Sequence, residues 1–440
     1  MKILYITPYI PYPLNSGGNQ AFFTLTNLVR QKHDLSVLLY AHSSKEKENV
    51  EKLKQLWPDV TFYVYEGARP TIDTEENEMK RAIERMTWKD RKACNMFSYF
   101  QNSMKRKIKR RVRKVGMEQA SAPSVDFVKS HSTLFLGTDD LFPEFCSYVK
   151  EVAAKGFDAI QVEFYDYLPL VLFLPKEARK VFVHHELRFV RNTNEMDLFK
   201  EVTPSDMLLF AKEKAQELYY LSAFDAVVTL TKIDKDILSE YIPADKIYVS
   251  PAITQTVSLE HKTFSPASDL VFVGSGAHFP NADAMVWFCK EVYPILKNKF
   301  KKAPKVNIVG QWSSFLKSGL QKACPEVHFP GFVDDLQAFL NGKISIVPIR
   351  IGSGMRMKIL DSVFAATPIV TTSKGCEGLP MIDGENCLIA DDADSFAEAV
   401  SRMQDDVQLQ ERLAVAAQHS KTNMLNEQEL LELRLAVYQK

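Results

Sequence analysis

The sequence predicts an α/β protein made of two doubly wound, Rossmann-like domains that face one another across a cleft. Three observations lead there. Short runs rich in β-branched residues alternate with helix-period segments in both halves of the chain. A polar, aperiodic stretch at residues 255–268 separates the two alternating units. In the second half, residues 344–361 join a buried strand to a glycine turn and a helix start, a geometry that aims free backbone N–H groups at an anion.

The first half opens on a strand at residues 2–7. Pro8, Pro11 and Pro13 stiffen the loop that follows, and Gly17 and Gly18 let its backbone approach another group closely. A plain connector would also fit, but a rigid loop after the first strand suits a ligand-facing role. A helix at 19–31, a strand at 35–40, a helix at 45–57 and a strand at 60–65 complete a β-α-β-α-β run. Residues 70–135 then break the rhythm. Within them, 80–114 carry fourteen Lys or Arg against two acids, beside Trp88, Phe97, Tyr99 and Phe100. Basic residues interleaved with aromatics fit a helix lying on an anionic membrane surface. A solvated hairpin and a nucleic-acid arm are the competing readings.

The alternation resumes with a helix at 141–154 and strands at 157–163 and 180–183. The latter strand ends on His184-His185-Glu186, with Arg188 and Arg191 close behind. The exit of a parallel strand is where such folds place ligand contacts, although a buried structural histidine is the blander reading. A helix at 204–222, a strand at 225–230, a helix at 232–241 and a strand at 246–250 close the first domain, residues 1–255.

The second domain, 256–420, begins with a strand at 270–274. It continues with a helix at 282–293, strands at 306–310 and 327–330, and a helix starting in 331–336. The strand at 344–349 and the turn Gly352-Ser353-Gly354 lead into a helix near Met355. Strands at 368–372 and 387–389 and helices at 394–403 and 407–417 follow. A last helical segment within 421–440 has the length to cross back to the first domain. At the central turn, Arg356 and Lys358 place two cations at the helix mouth, and Asp361 projects from the same helix. Cations and helix N–H groups suit a diphosphate, and a carboxylate suits a ribose diol.

Composition narrows the class. The chain has 440 residues, too many for one ordinary core, with 46% hydrophobic and 25% charged residues. Fifty-five basic and fifty-five acidic residues cancel, so no global field calls for nucleic acid, and no nucleic-acid partner is expected. Six scattered cysteines without a C-x-x-C pair argue for free thiols and against a zinc site or a disulfide frame. No apolar run approaches the ~20 residues of a membrane span, and residues 1–7 are too short for a signal peptide. The expectation is a cytoplasmic protein, peripheral at most on the inner face of the plasma membrane.

From residue 270 to about 400 the motifs resemble one family, the GT-B glycosyltransferases of the retaining, family-4-like group (glycosyl transferases group 1). The resemblance rests on Phe272-Val-Gly274, Pro280-Asn281, Ile308-Val-Gly310, Gly331-Phe-Val333, Val347-Pro348, Gly352-Ser-Gly-Met-Arg-Met-Lys-Ile-Leu360, Pro368-Ile-Val370 and Asp383-Gly-Glu-Asn386. The first half matches more loosely, through Lys2-Ile-Leu4, Ser16-Gly-Gly18 and the strand-end histidine. The resemblance implies a hexosyltransferase whose sugar nucleotide sits mainly on the second domain, with no metal or other cofactor required. It puts the base near Gly310, Phe332 and Val333, the ribose at Asp361, and the diphosphate on Arg356 and Lys358. Gly17, Gly18, Gly274, Ser275, His278, Gly354, Met355 and Glu377 complete the donor site, and His184 contacts the donor sugar. Catalytic roles fall to His184, Arg356 and Lys358.

Two departures from the family pattern stand out. Relatives carry an E-x7-E pair; here its second member is Asp361 and its first is Ser353. Relatives also carry an Arg and a Lys after the first strand of this domain, where this chain reads Gly274-Ser-Gly-Ala-His-Phe. The expected activity is transfer of a sugar, with retention, from a UDP- or GDP-sugar to a glycan or lipid-linked acceptor in cell-surface polysaccharide or glycolipid synthesis. The alternatives are a sugar-nucleotide epimerase, with Glu186 and Glu377 as its acids and bases, and a non-catalytic binding protein acting through 80–114.

Overall fold

The computed structural model describes residues 1–14, 17–67, 126–135, 141–252, 263–300, 303–424 and 427–439. The basic stretch 80–114 lies outside the described residues, as does most of the expected linker.

Two parallel sheets form, one per half, as the alternation predicts. The first has seven strands in the order β3-β2-β1-β4-β5-β6-β7. They are β1 Lys2–Ile6, β2 Asp34–Tyr40, β3 Thr61–Tyr65, β4 Ala159–Glu163, β5 Arg179–His184, β6 Ala226–Thr229 and β7 Ile247–Val249. The second sheet has six strands in the order β10-β9-β8-β11-β12-β13. They are β8 Asp269–Val273, β9 Val306–Val309, β10 Val327–Gly331, β11 Lys343–Val347, β12 Ile369–Thr371 and β13 Leu388–Ile389. Helices cover both faces, so the central strands are buried throughout: every residue of β4 and β6 is inside. In the first sheet the order reverses between β1 and β4, which opens a crevice beyond their C-terminal ends.

Helix starts follow their local chemistry. Ser43 with Glu46, and Thr203 with Asp206, form reciprocal capping boxes ahead of Ser44–Leu56 and Pro204–Ser222. Two of the boundaries that differ from expectation bear on the second lobe. The helix anticipated from 282 begins at Phe279, passes through a π turn at Phe288–Val292 and resumes as Tyr293–Lys299. Pro294 has no N–H to complete an α ladder there. The helix anticipated near Met355 begins at Met357, because Gly354 is left-handed (φ 76°) and Arg356 is extended (φ −94°, ψ 95°).

The helix Glu427–Ala436 packs on the first lobe. Leu430, Leu431, Val437 and Tyr438 share a core with Ile3, Tyr5 and Val37. Arg434, 2% exposed, donates from Nε to Ser250 Oγ at 3.0 Å, and Arg179 Nε donates to the Val437 carbonyl at 2.8 Å. Met355, from the second lobe, packs against this same core.

Candidate functional site

The turn between β11 and the helix Met357–Phe364 lies at the seam of the two lobes. Ile349 and Ile351 anchor it inward, and Arg350 holds Asp283 through Nε (3.1 Å) and Nη2 (2.8 Å). Three groups of the first lobe clasp it from the other side. Leu187 N–H donates to Ser353 Oγ at 2.6 Å, Gly354 N–H donates to Asp234 Oδ2 at 3.1 Å, and Gly352 N–H donates to Asn194 Oδ1 at 3.3 Å. A Cβ on Gly354 would lie 2.1 Å from the His185 carbonyl oxygen, so glycine is the residue this approach admits.

Arg356 stands inside the clasp. Its Nη1 donates to the carbonyls of Ser353 and Gly354. Its Nη2 is buried and finds no acceptor among the described residues. Burial pulls its pKa down, while Glu186, Glu377 and Asp234 pull the other way. Two more buried polar atoms without partners are Asp234 Oδ1 and His184 Nδ1. Orphaned buried donors are costly, so an unfilled guanidinium nitrogen at a seam marks a place for an anion.

Lys358 follows two residues on. Its Nζ donates to Asn281 Oδ1 at 2.6 Å and lies 4.7 Å from the centre of the Phe272 ring. Asn281 Nδ2 in turn donates to the Ser275 carbonyl at 2.9 Å, which ties Lys358 to the Gly274–Ser275 loop. Burial, helped by Arg356, lowers the Lys358 pKa to about 7, with Asp361 opposing. Burial raises the Asp361 carboxyl to about 7, with Lys358 opposing. Glu186 is the reverse case. Burial alone would raise it, but Arg191, His278 and Arg188 win and hold it at about 2. His278 is exposed and stands just before the helix Phe279–Trp287. Loss of bulk water there, with Arg191, Lys358 and Arg356 adding to it against Glu186, lowers its pKa to about 3. It is a neutral ring at physiological pH.

Residues 267–406 match the family model "Glycosyl transferases group 1". The second lobe is a group 1 glycosyltransferase domain. The chain is also 24% identical over 220 residues to an uncharacterized 44.6 kDa protein in the cps region of Klebsiella pneumoniae. That match takes in 47% of this chain and 54% of the relative, so the chain spans about half of that protein. Among solved structures, sucrose-phosphate synthase from Thermosynechococcus elongatus superimposes with a TM-score of 0.63 at 13% identity, covering 100% of this chain and 98% of the other. TarM from S. aureus, seen with fondaparinux, alpha-GlcNAc-glycerol and UDP, gives 0.62 at 10% identity, with 100% of both chains covered. HepE from Anabaena, seen with UDP and glucose, gives 0.59 at 12%, with 99% and 98% covered. These likenesses establish the fold, GT-B, in agreement with the resemblance drawn from the sequence motifs.

The rest of the expected donor site is spread over both lobes. Gly310 follows β9 with φ 118°; its N–H donates to the Gly331 carbonyl at 2.8 Å, which sets the ends of β9 and β10 side by side. Phe332, 56% exposed, and the half-buried Val333 follow β10. Glu377 accepts from Lys374 Nζ at 2.5 Å and contributes to the field on Arg356. Gly17 begins the helix Gly17–Val29 in the first lobe, and Gly18 has open space where a Cβ would be, so nothing crowds it. Ser353 already holds Leu187 and also bonds the Asp234 carboxylate. Its hydroxyl belongs to the seam.

The histidine pair requires a correction. His184, expected at the donor sugar, is 2% exposed, and its Nε2 lies 2.7 Å from Glu217 Oε1. Glu217 also accepts from the N–H groups of Arg188 and Phe189, both at 2.9 Å, so His184 helps to fix the joint after β5. His185 is the ring that stays reachable, 27% exposed, with Nε2 2.6 Å from Glu163 Oε2. His184 is the last residue of β5 and stays within the covered sheet, while His185 is the first residue beyond it. Sequence reasoning passed over His185, Glu163, Glu217, Asp234 and Asn281 as site residues. Two carried a signal, His185 in its place at the strand exit and Asn281 in the Pro280-Asn281 motif.

Among the described residues no group of His, Cys, Asp and Glu could hold a metal ion, and no helix is long and apolar enough to cross a membrane.

Proposed function

We propose that the protein transfers a sugar, with retention of configuration, from a nucleoside-diphosphate sugar to a glycan or lipid-linked acceptor. The observation that carries this reading is the buried, acceptor-less Nη2 of Arg356 beside Lys358, at a helix start between two lobes. A donor diphosphate supplies the missing anion. Asp361 takes the ribose diol, and the base lies along Gly310, Phe332 and Val333.

The chemistry follows from charge. As the bond between the anomeric carbon and the phosphate oxygen breaks, its electron pair leaves with the diphosphate and the sugar becomes oxocarbenium-like. Arg356, Lys358 and the helix N-terminus meet the growing negative charge; single donors of this kind are often worth about 3–4 kcal/mol. The acceptor hydroxyl attacks from the face of the leaving group, and its proton passes to a phosphate oxygen. No flanking pair of carboxylates is needed, unlike in glycoside hydrolysis. The closed seam keeps water from the donor. His185 bonds a sugar hydroxyl and needs no basic role. The reaction is proposed to run on these protein cations without a metal.

UDP is present in the TarM and HepE structures, which makes UDP-sugars the first donors to test. The match to a protein of a cps region supports an acceptor in cell-surface polysaccharide synthesis. A thermal-shift screen over UDP-, GDP- and ADP-sugars identifies the donor, because a ligand that binds only the folded state raises Tm. Turnover of that donor with a lipid-linked or oligosaccharide acceptor, lost in Lys358→Ala and in Asp361→Ala, confirms transfer. Wild-type turnover in either folded variant removes the diphosphate argument. Conversion of the donor to its epimer without acceptor would favour the epimerase reading instead.

A further inference from the structure

A line of buried side chains runs from the C-terminal segment to the groove. The hydroxyls of Tyr5 and Tyr438 lie 2.6 Å apart. Tyr438 OH donates to Gln161 Oε1 at 2.6 Å, and Gln161 Nε2 donates to Glu163 Oε1 at 2.5 Å. Glu163 Oε2 lies 2.6 Å from His185 Nε2. Tyr5, Tyr438, Gln161 and Glu163 are all 0–1% exposed.

The direction of this line is fixed by counting hydrogens. A phenol has one to give. That of Tyr438 goes to Gln161, so that of Tyr5 points at Tyr438. With its carbonyl engaged by Tyr438, the Gln161 amide presents its NH2 to Glu163. Burial raises Tyr438 to about 12 and raises Tyr5 well above the ordinary tyrosine value, so both phenols remain neutral donors at physiological pH. Glu163 therefore receives a donor on one oxygen and takes the second from His185. Nε2 of His185 therefore carries a proton towards Glu163, and Nδ1 is the ring nitrogen turned away from it.

The His185 ring is gripped from the side as well. Phe164 stacks on it at 3.9 Å between centroids and 5° between planes. Phe164 holds φ at 67°, a region that a bulky residue enters only when its surroundings over-determine it. The His185 carbonyl closes against Gly354 of the glycosyltransferase domain. The end of this line thus touches the turn that carries Arg356.

We propose that Tyr438 is a positioning residue for His185. Through Gln161 and Glu163 it fixes the tautomer and orientation of the ring, so that Nδ1 accepts a hydrogen bond from a hydroxyl of the transferred sugar. The inference rests on the donor reading given above. It ties docking of the C-terminal helix on the first lobe to the groove on the far end of β4.

The test uses the full chain carrying Tyr438→Phe, which keeps the ring and its packing and removes one hydroxyl. Its kcat falls roughly three- to tenfold, the worth of one neutral hydrogen bond, while the KM for donor stays within about twofold. In nitrogen-15 spectra of the histidine-labelled protein, His185 shifts from the single Nε2–H tautomer to a mixture. Tyr5→Phe, which leaves the Tyr438 donation in place, gives a smaller change in both readouts. If Tyr438→Phe does not fold, Gln161→Met breaks the same line from within β4. A single unchanged tautomer in the variant overturns the proposal. So does a loss of activity that merely follows the unfolded fraction. If the wild type turns over no sugar nucleotide, the donor reading fails, and the spectra still decide whether Tyr438 sets the ring.

Discussion

The Lys358 ammonium and the Asp361 carboxyl, three residues apart on one helix, are shifted towards each other, the first down and the second up, both to about 7. Burial drives both shifts, and the partner charge only partly offsets each. The pair gives the candidate site a proton balance that can be read in solution.

The sign of that balance is fixed. Between pH 4 and 7 the folded chain holds a proton on Asp361 that the unfolded chain has lost, so this contribution to stability falls as pH rises. Between pH 7 and 10 the folded chain has released a proton from Lys358 that the unfolded chain keeps, so the contribution rises again. A bound diphosphate restores the charge on Lys358. Binding of UDP at pH 8 should therefore take up close to one proton, and at pH 6 much less. Calorimetry in buffers of different ionisation enthalpy measures this, and Lys358→Met should abolish the uptake. Equal uptake by the wild type at both pH values would remove Lys358 from the diphosphate.

Arg356→Ala should lower kcat by about a hundred- to a thousandfold, the loss seen when one preorganised donor to developing charge is removed. Arg356→Lys should recover little. The planar fork bonds the Ser353 and Gly354 carbonyls with Nη1 while Nη2 remains for the ligand, and an ammonium cannot do both. Steady-state rates with circular dichroism as a folding control measure this. Full recovery by lysine would argue that only charge matters.

The two neighbouring histidines should separate cleanly. His184→Asn strips a buried partner from Glu217 and should cost about 1–3 kcal/mol of stability. In His185→Asn the fold should survive while kcat drops. Denaturant unfolding alongside initial rates distinguishes them, and the opposite pattern would restore His184 as the groove residue.

Ser353→Glu should weaken the protein rather than improve it, although it puts a glutamate at the first position of the family's pair, eight residues before Asp361. The longer side chain loses the 2.6 Å bond from Leu187 N–H and sets a second carboxylate beside Asp234. A lower Tm and a raised donor KM are expected. A gain in kcat would mean that Ser353 faces the sugar after all.

Much of this is legible in the sequence. β11, Gly352 and Gly354, and the helix carrying Lys358 and Asp361 were readable because β-branched runs, glycine turns and helical spacing are local properties. The same holds for the strand exit at His184-His185. The contacts that make a site of these elements were not local. Asp234 reaches Gly354 across 120 residues of chain, Leu187 reaches Ser353 across 166, and Tyr438 reaches Gln161 across 277.

The sequence by itself determined the two parallel sheets, the turn that carries the cations and the membership of the second lobe, since each follows from patterns within a few tens of residues. Only the tertiary structure decided which histidine stays open, what the Ser353 hydroxyl bonds, and which nitrogen of Arg356 lacks a partner. Those outcomes depend on burial and on distances between segments remote in the chain, and no short-range pattern encodes either.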